Sequence, residues 1–289
     1  MCLDFQAMAC RLIVNADDFG LCEGVNRAVK QAHTEGILTS ATIMAGMGAA
    51  LQAVELARQM PDLGVGVHLN LFAHTPVSKD ERVKNLLDTR GRLGLSLGKL
   101  IVKSIFSRVV RRAIETEFAA QIQWVIDKGI KPTHLDSHKH IHAHPAVWPI
   151  VVGLCERFDI GAIRWPFEPA GVSGADWPTP PKGGRTRACI VGTMAKINRR
   201  RNDRFIKNDI FLGTTHTGKV DIDFWRQVAK NPFDGLLEVM THPGFAEGLD
   251  QAKTRLVEQR QVELEALCSG EVRKFLADAN IELTHYGKL

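Results

Sequence analysis

Acidic and imidazole side chains fall where short apolar runs of this sequence end. Asp17 and Asp18 follow LIVNA, and His68 and Asn70 close GVGVHLNL. Asp136 and His138 lie in THLDSH, Arg164 and Glu168 in IRWPFEP, His216 ends DIFLGTTH, and Glu238 and His242 belong to GLLEVMTHPG. Carboxylate and imidazole without paired cysteines suit a hard-to-borderline divalent ion: zinc, manganese, iron, cobalt or magnesium. Three protein ligands with one open position form the catalytic pattern, in which the ion lowers the pKa of a water towards ~7 and polarises a carbonyl. A free carboxylate beside that water can take its proton, and a histidine opposite can give one to a leaving group. These are the parts needed to hydrolyse an amide.

The densest stretch is THLDSHKHIHAHP, with His134, His138, His140, His142 and His144 around Asp136. All six share one parity, so a continuous strand would put them on one face. A strand is only about 5 residues long, so Leu135 to His138 is the strand, and its inward face offers Asp136 and His138. His140, His142 and His144 then fall on a loop, for substrate contact, support of ligands, or helix capping. Asp17 and Asp18 would point to opposite faces of a regular strand; a bend at the strand end lets both reach a pocket, and the competing reading is that one of them caps the helix that follows. His68 among apolar neighbours reads alone as a satisfied core residue; the company of the other strand ends favours ligation.

Placing these residues takes repeated strand–helix units. Strands are expected at RLIVNADDFG, TSATIMAG, GVGVHLNLF, PTHLDSH, GAIRWPFEP, DIFLGTTH, GLLEVMTHPG and IELTHYG. Between them, helical spacing appears in EGVNRAVKQAHTEG, AALQAVELARQM, residues 109–128, AVWPIVVGLCERF and AKTRLVEQRQVELEALC. This order predicts an α/β fold, an irregular TIM-like (β/α) barrel of seven to eight parallel strands in one domain over residues 1–289, in which polar residues at the C-terminal strand ends converge. An open doubly wound sheet is the alternative, although no G-x-G-x-x-G follows the first strand. Residues 170–190, rich in Pro, Gly and Thr, read as a long loop over the site.

A hydrophobic content of 45% and a charged content of 24% are those of a soluble globular protein, and the net charge of +5 is too small for a dedicated nucleic-acid binder. The six cysteines include no C-x-x-C pair, which speaks against a zinc ribbon or thioredoxin-like site. The N-terminal MCLDFQAMAC lacks a basic n-region and no apolar run reaches membrane-spanning length, so a cytoplasmic location is expected. Basic residues cluster at 99–112 and at 182–207. Around the first cluster, Leu97, Leu100, Ile101, Ile105 and Val109 are near helical spacing. That segment reads either as an outer barrel helix or as a peripheral contact with the inner membrane surface.

In order, LIVNADDFGL, GVHLNL, THLDSHKHIHAHP, IRWPFEP and MTHPG resemble the YdjC-like carbohydrate deacetylases, most strongly the branch associated with hopanoid biosynthesis. The resemblance runs from about Arg11 to Gly244. It implies a distorted (β/α) barrel that removes N-acetyl groups from amino sugars with one divalent metal ion, magnesium or zinc first among candidates. Carried over motif by motif, Asp18, His68 and His138 would hold the ion, Asp17 would be the general base and His242 the general acid. Arg164 would orient a carboxylate such as Asp17. Asp136, His140, His142, Asn70, Glu168 and Glu238 are left as substrate-binding or supporting residues. The implied partner is an N-acetylated amino sugar, lipid-linked in the hopanoid branch, with a homodimer compatible with the chain. Two other classes remain open: a barrel metallohydrolase acting on phosphoesters or cyclic amides, and a non-enzymatic metal- or nucleic-acid-binding module.

Overall fold

Strand β1, Cys10–Phe19, is apolar through Leu12, Ile13, Val14 and Ala16 without alternation, and all four are buried. A strand apolar on both faces belongs at the centre of a parallel sheet covered on two sides. β1 takes that place. One edge pairs in parallel with β6, Gly235–Thr241, over Cys10 to Ala16. The other edge meets β7, Glu282–Thr284, near its start and β2, Ser40–Ile43, near its end. β3, Gly64–Leu69, continues from β2, and β4, Leu135–Ser137, continues from β3. β5, Ile210–Leu212, lies beyond β6. The result is a seven-stranded parallel sheet in the order β4-β3-β2-β1-β6-β5, with β7 beside β1. A computed structural model describes residues 10–72, 74–169, 178, 184–198, 204–231, 234–249 and 254–289 of the chain.

The helices follow the apolar spacing. α1, Glu23–Thr34, buries Val25, Ala28, Val29 and Ala32, and α2 is Ala50–Gln59. α3, Leu97–Phe106, leads through Ser107 into α4, Arg108–Asp127. Ser107 caps α4 by accepting from the Val110 N–H. α5 is Trp148–Phe158, α6 Gly184–Asn198, α7 Ile222–Lys230, α8 Glu258–Cys268 and α9 Gly270–Asp278.

Four expectations need correction. The sheet is a half-barrel rather than a closed barrel: among the described residues no continuous ladder joins β4 to β5. The expected strand GAIRWPFEP contributes only isolated bridges, Leu135 with Ile163 and Ala162 with Ile206. Pro166 and Pro169 supply no N–H to a ladder, so beyond Arg164 the segment makes no regular strand, although its Phe167 carbonyl oxygen still accepts from the Phe211 N–H of β5 at 3.1 Å. The terminal helix begins at Glu258 rather than near residue 251. The expected loop at 170–190 overlaps α6, which has begun by Gly184; apart from Pro178, residues 170–183 lie outside the described residues.

One close approach fixes how β3 sits on β4. A Cβ at Gly66 would lie 2.5 Å from the His134 ring and 2.8 Å from the His134 carbonyl oxygen. Gly66→Ala should therefore cost about 1–3 kcal/mol in urea denaturation. Combining it with His134→Ala should recover only part of that loss, because the carbonyl remains.

Candidate active site

The end of β1 answers how two adjacent aspartates serve one pocket. Asp18 has φ of +65°, in the left-handed region, and the β1–β2 register shifts between Ala16 and Phe19. A non-glycine residue held there costs of order 1–3 kcal/mol and persists only where its surroundings fix it. The turn aims both carboxylates at the pocket. Neither caps α1, whose N-cap is Cys22 with no side-chain cap.

Each aspartate has its own arginine. Asp17 accepts a two-pronged contact from Arg164, at 2.7 Å to Oδ1 and 3.0 Å to Oδ2, and Asn15 donates to Oδ1 at 2.9 Å. Burial would raise the Asp17 pKa, but Arg164 and His68 hold it well below the usual carboxylate range. Asp18 Oδ2 accepts from Arg260 at 2.5 Å. Burial is again outweighed, chiefly by Arg260 and His138, and the Asp18 pKa is lowered well below normal. Asp18 Oδ1 is buried without a hydrogen-bond partner.

That free oxygen faces two imidazoles. His68 Nε2, also buried without a hydrogen-bond partner, lies 3.6 Å from it, and His138 Nδ1 lies at 3.3 Å. The three ligand atoms all fall within 4.8 Å of one another. On the far side of the ring, His68 Nδ1 faces Asp136 Oδ1 at 2.8 Å and Thr42 Oγ1 at 3.2 Å. A carboxylate there makes Nδ1 the donor and leaves the Nε2 lone pair for an ion. Burial lowers the His68 pKa, but Asp136, Asp17 and Asp18 outweigh it and bring it up to about 9 with no ion bound. His138 is the first residue of a 3-10 segment, 138–143, in which Lys139 and His140 both have positive φ. Asp18, His68 and His138 thus form a donor set that fits one divalent ion. Asp17, His68 and Asp136 also lie close enough for an ion, but Arg164 already neutralises both of those carboxylates.

Arg164 is fully buried and touches three acids: Asp17, Asp136 Oδ2 at 2.7 Å and Glu238 Oε1 at 2.7 Å. Glu238 also accepts from the Tyr286 hydroxyl at 2.7 Å. His142 sits behind this cluster. Its ring bonds Ser137 Oγ at 2.6 Å and the Arg164 carbonyl oxygen at 3.1 Å, and burial pushes its pKa down to about 3. It braces Arg164 rather than lining a loop. His140 is buried too, near Thr214 and Phe211. His144 approaches Ser104 at 3.5 Å. Glu168 accepts from Thr215 through both backbone N–H and hydroxyl, and so fixes the chain after β5 instead of joining the ligand cluster. Asn70 closes a turn with Phe72 and is bound by Gln121.

His242 stands at the end of β6. Burial lowers its pKa to about 4, with the opposing pull of Asp17 and Asp18 insufficient to offset it. Its backbone N–H donates to Glu263 Oε2 at 2.5 Å, and its Nδ1 lies 4.0 Å from the same carboxyl. Burial pushes Glu263 up to about 7. Sequence reading missed Arg260 and Glu263, both on α8. The signal was present: Arg260, Glu263, Leu264 and Leu267 occupy i, i+3, i+4 and i+7, so two charged residues sit in the buried apolar stripe.

The family model described as YdjC-like protein matches residues 11–278. The chain belongs to the YdjC-like family. A carbohydrate deacetylase of Brevibacillus brevis is 34% identical over 279 residues, covering 96% of this chain and 99% of that protein. Carbohydrate deacetylases of Halalkalibacterium halodurans and Vibrio cholerae are each 31% identical; the alignments cover 89% and 96% of this chain and 94% and 96% of those proteins. A crystal structure of a provisionally named cellobiose-phosphate cleavage protein from Enterococcus faecalis V583 superposes with a TM-score of 0.75 at 25% identity, over 97% of this chain and 98% of that one. The half-barrel is thus the architecture of this YdjC-like chain.

The His242–Glu263 pair gives opposite pH dependences in the ion-free protein. Folded His242, at about 4 against an ordinary 6.5, costs stability as pH falls from 6.5 towards 4. Folded Glu263, at about 7 against an ordinary 4.5, contributes stability that is full below 4.5 and lost as pH rises towards 7. The two slopes oppose each other between roughly pH 4.5 and 6.5. Other buried histidines, His142 among them, add a rising slope to every variant, so the comparison is with wild type. His242→Gln should make stability rise less steeply with pH across that window, and Glu263→Gln more steeply, as read from urea midpoints. Matching slopes in the two variants would contradict the assignment.

Proposed function

We propose that this YdjC-like chain is a metal-dependent hydrolase that removes the N-acetyl group from an N-acetylated amino sugar. The observation that carries the reading is the buried, open pair of His68 Nε2 and Asp18 Oδ1 beside His138 Nδ1. Unpaired buried polar atoms are costly, and three of these donor types converging on one point suit a divalent ion, magnesium or zinc. The relatives named carbohydrate deacetylase, aligned over nearly the whole chain, support the sugar amide as substrate. Resemblance to the hopanoid-associated branch supports a lipid-linked sugar, N-acetylglucosaminyl hopanoid, within that class.

Bound there, the ion supplies an acidified water and a polarised acetamide carbonyl. Asp17 takes the proton of the attacking water. Arg164 keeps Asp17 ionised, so that it stands there as a base and not as an acid. Asp136 holds the His68 ring in the tautomer that presents Nε2 to the site. Burial keeps the His242 ring neutral beforehand, with its pKa at about 4, so it would act as a relay: it takes up one proton during the reaction, equal to the one the water loses to Asp17, and passes it to the departing amine. Acetate and a free amino sugar leave.

Metal-loaded protein should release acetate from N-acetylglucosaminyl-lipid or from chitin oligosaccharides. No acetate from any N-acetyl sugar with any divalent metal sinks the proposal. Asp17→Asn should retain the ion and lose turnover by roughly 10²–10⁴. Asp18→Asn should lose metal affinity as well, measured by equilibrium dialysis; the reverse pattern would exchange the two roles.

A further inference from the structure

The corner where α3 meets α4 leaves apolar side chains in solvent. Val102, Ile105 and Phe106 on α3 are 55%, 48% and 83% exposed, and Val109 in the first turn of α4 is 56% exposed. On α3 these residues are three and four apart, hence on one side of the helix. The opposite side, Leu100 and Ser104, is buried. The helix therefore has two apolar faces, and only one is covered by the fold.

The charge around the uncovered face has one sign. Lys99, Lys103, Arg108 and Arg112 are exposed, and no Asp or Glu occurs from Leu97 to Ile114. Arg111 is spent differently, donating to the carbonyls of Ser104 and Ile105 at the end of α3. The other four form no ion pair among the described residues.

A second helix of the same character lies against the same part of the fold. α6 buries Ala188, Val191, Ala195 and Asn198 and leaves Ile190, Ile197, Arg185 and Arg187 exposed. Asn198 donates to the Ala143 carbonyl oxygen at 2.7 Å, while Ser104 of α3 approaches His144 at 3.5 Å. Two helices far apart in sequence thus rest on adjacent residues of the segment that begins with His138.

We propose that the α3–α4 corner is a peripheral docking surface for an anionic lipid bilayer, with α6 beside it. Phe106, Ile105, Val102 and Val109 would enter the boundary between headgroups and acyl chains, and the four cations would face the lipid phosphates. Charge decides against the other occupants. A two-fold interface with a second copy would bring like-charged rims together. Single-stranded nucleic acid calls for aromatic stacking platforms, and this face offers aliphatic side chains and one phenylalanine. Among the described residues no helix is long and apolar enough to cross a membrane, so the contact is one of lying on the surface. The proposal is independent of which acetylated sugar the site takes.

The test is co-sedimentation of the full chain with vesicles of phosphatidylcholine alone or with roughly a third phosphatidylglycerol, at low and at near-physiological salt. Binding should need the anionic lipid and weaken with salt. Lys99→Gln with Lys103→Gln should lower partitioning roughly tenfold or more, and Ile105→Ser with Phe106→Ser should lower it comparably. Both double variants should keep wild-type melting temperature and turnover on a soluble N-acetyl sugar. Failure to bind anionic vesicles, or undiminished binding by both variants, overturns the proposal. So does a solution dimer that Ile105→Ser with Phe106→Ser dissociates, or salt-sensitive RNA binding in place of vesicle binding.

Discussion

One buried guanidinium carries the charge balance of the strand ends. Arg164 meets Asp17 from β1, Asp136 from β4 and Glu238 from β6. Those strands lie on different parts of the open sheet, and carboxylates brought together there would repel without it. The arginine sits on the segment that fails to become a strand, so an ionic tie spans the gap that a hydrogen-bonded ladder leaves. Its backbone is held as firmly as its side chain, with its N–H donating to the Leu135 carbonyl and its own carbonyl bonded by His142. A fully buried charge is tolerable only where partners satisfy it, and here all three guanidinium nitrogens have carboxylate oxygens.

The consequence for Asp17 and Asp18 is a division that adjacency in sequence hides. Asp17 has both oxygens engaged by Arg164. Asp18 has one oxygen on Arg260 and the other open. The left-handed backbone at Asp18 makes this possible, since an extended strand would send one carboxylate away from the pocket. The same device recurs at Lys139 and His140, just after His138. Three of the five non-glycine residues with positive φ among the described residues sit at the two chain turns that deliver donor atoms to one point.

Much of this was legible in the sequence because it depends on strand ends. Asp17, Asp18, His68, Asp136, His138, Arg164, Glu238 and His242 all end or follow apolar runs, and the structure brings them together. The parity of THLDSHKHIHAHP placed Asp136 on the strand, but it extended the strand one residue too far: β4 ends at Ser137, and His138 opens the 3-10 segment that also holds His140 and His142. Parity could not show that His142 points inward to brace Arg164, because that depends on positive φ at two non-glycine residues. Closure of the barrel was over-read: GAIRWPFEP has strand-like composition, and its prolines decide otherwise. Arg260 and Glu263 were missed because a charged helix is habitually read as a solvated face, when their register with Leu264 and Leu267 places them inside.

Charge arithmetic bears on the proposed ion. The buried acids in direct contact with the two buried arginines are Asp17, Asp136 and Glu238 on Arg164 and Asp18 on Arg260. Fully ionised, four carboxylates against two guanidiniums leave two negative charges uncompensated in a poorly solvated place. Without an ion the protein relieves this with protons: His68 is raised to about 9, and burial raises Glu238. A proton on His68 Nε2 occupies the position that faces Asp18 Oδ1. A divalent cation among Asp18, His68 and His138 would compensate the same deficit by displacing that proton, since imidazole ligates only when neutral. On this reading the raised basicity of His68 and the open oxygen of Asp18 are one property, a negative pocket in which proton and ion compete for the same atoms.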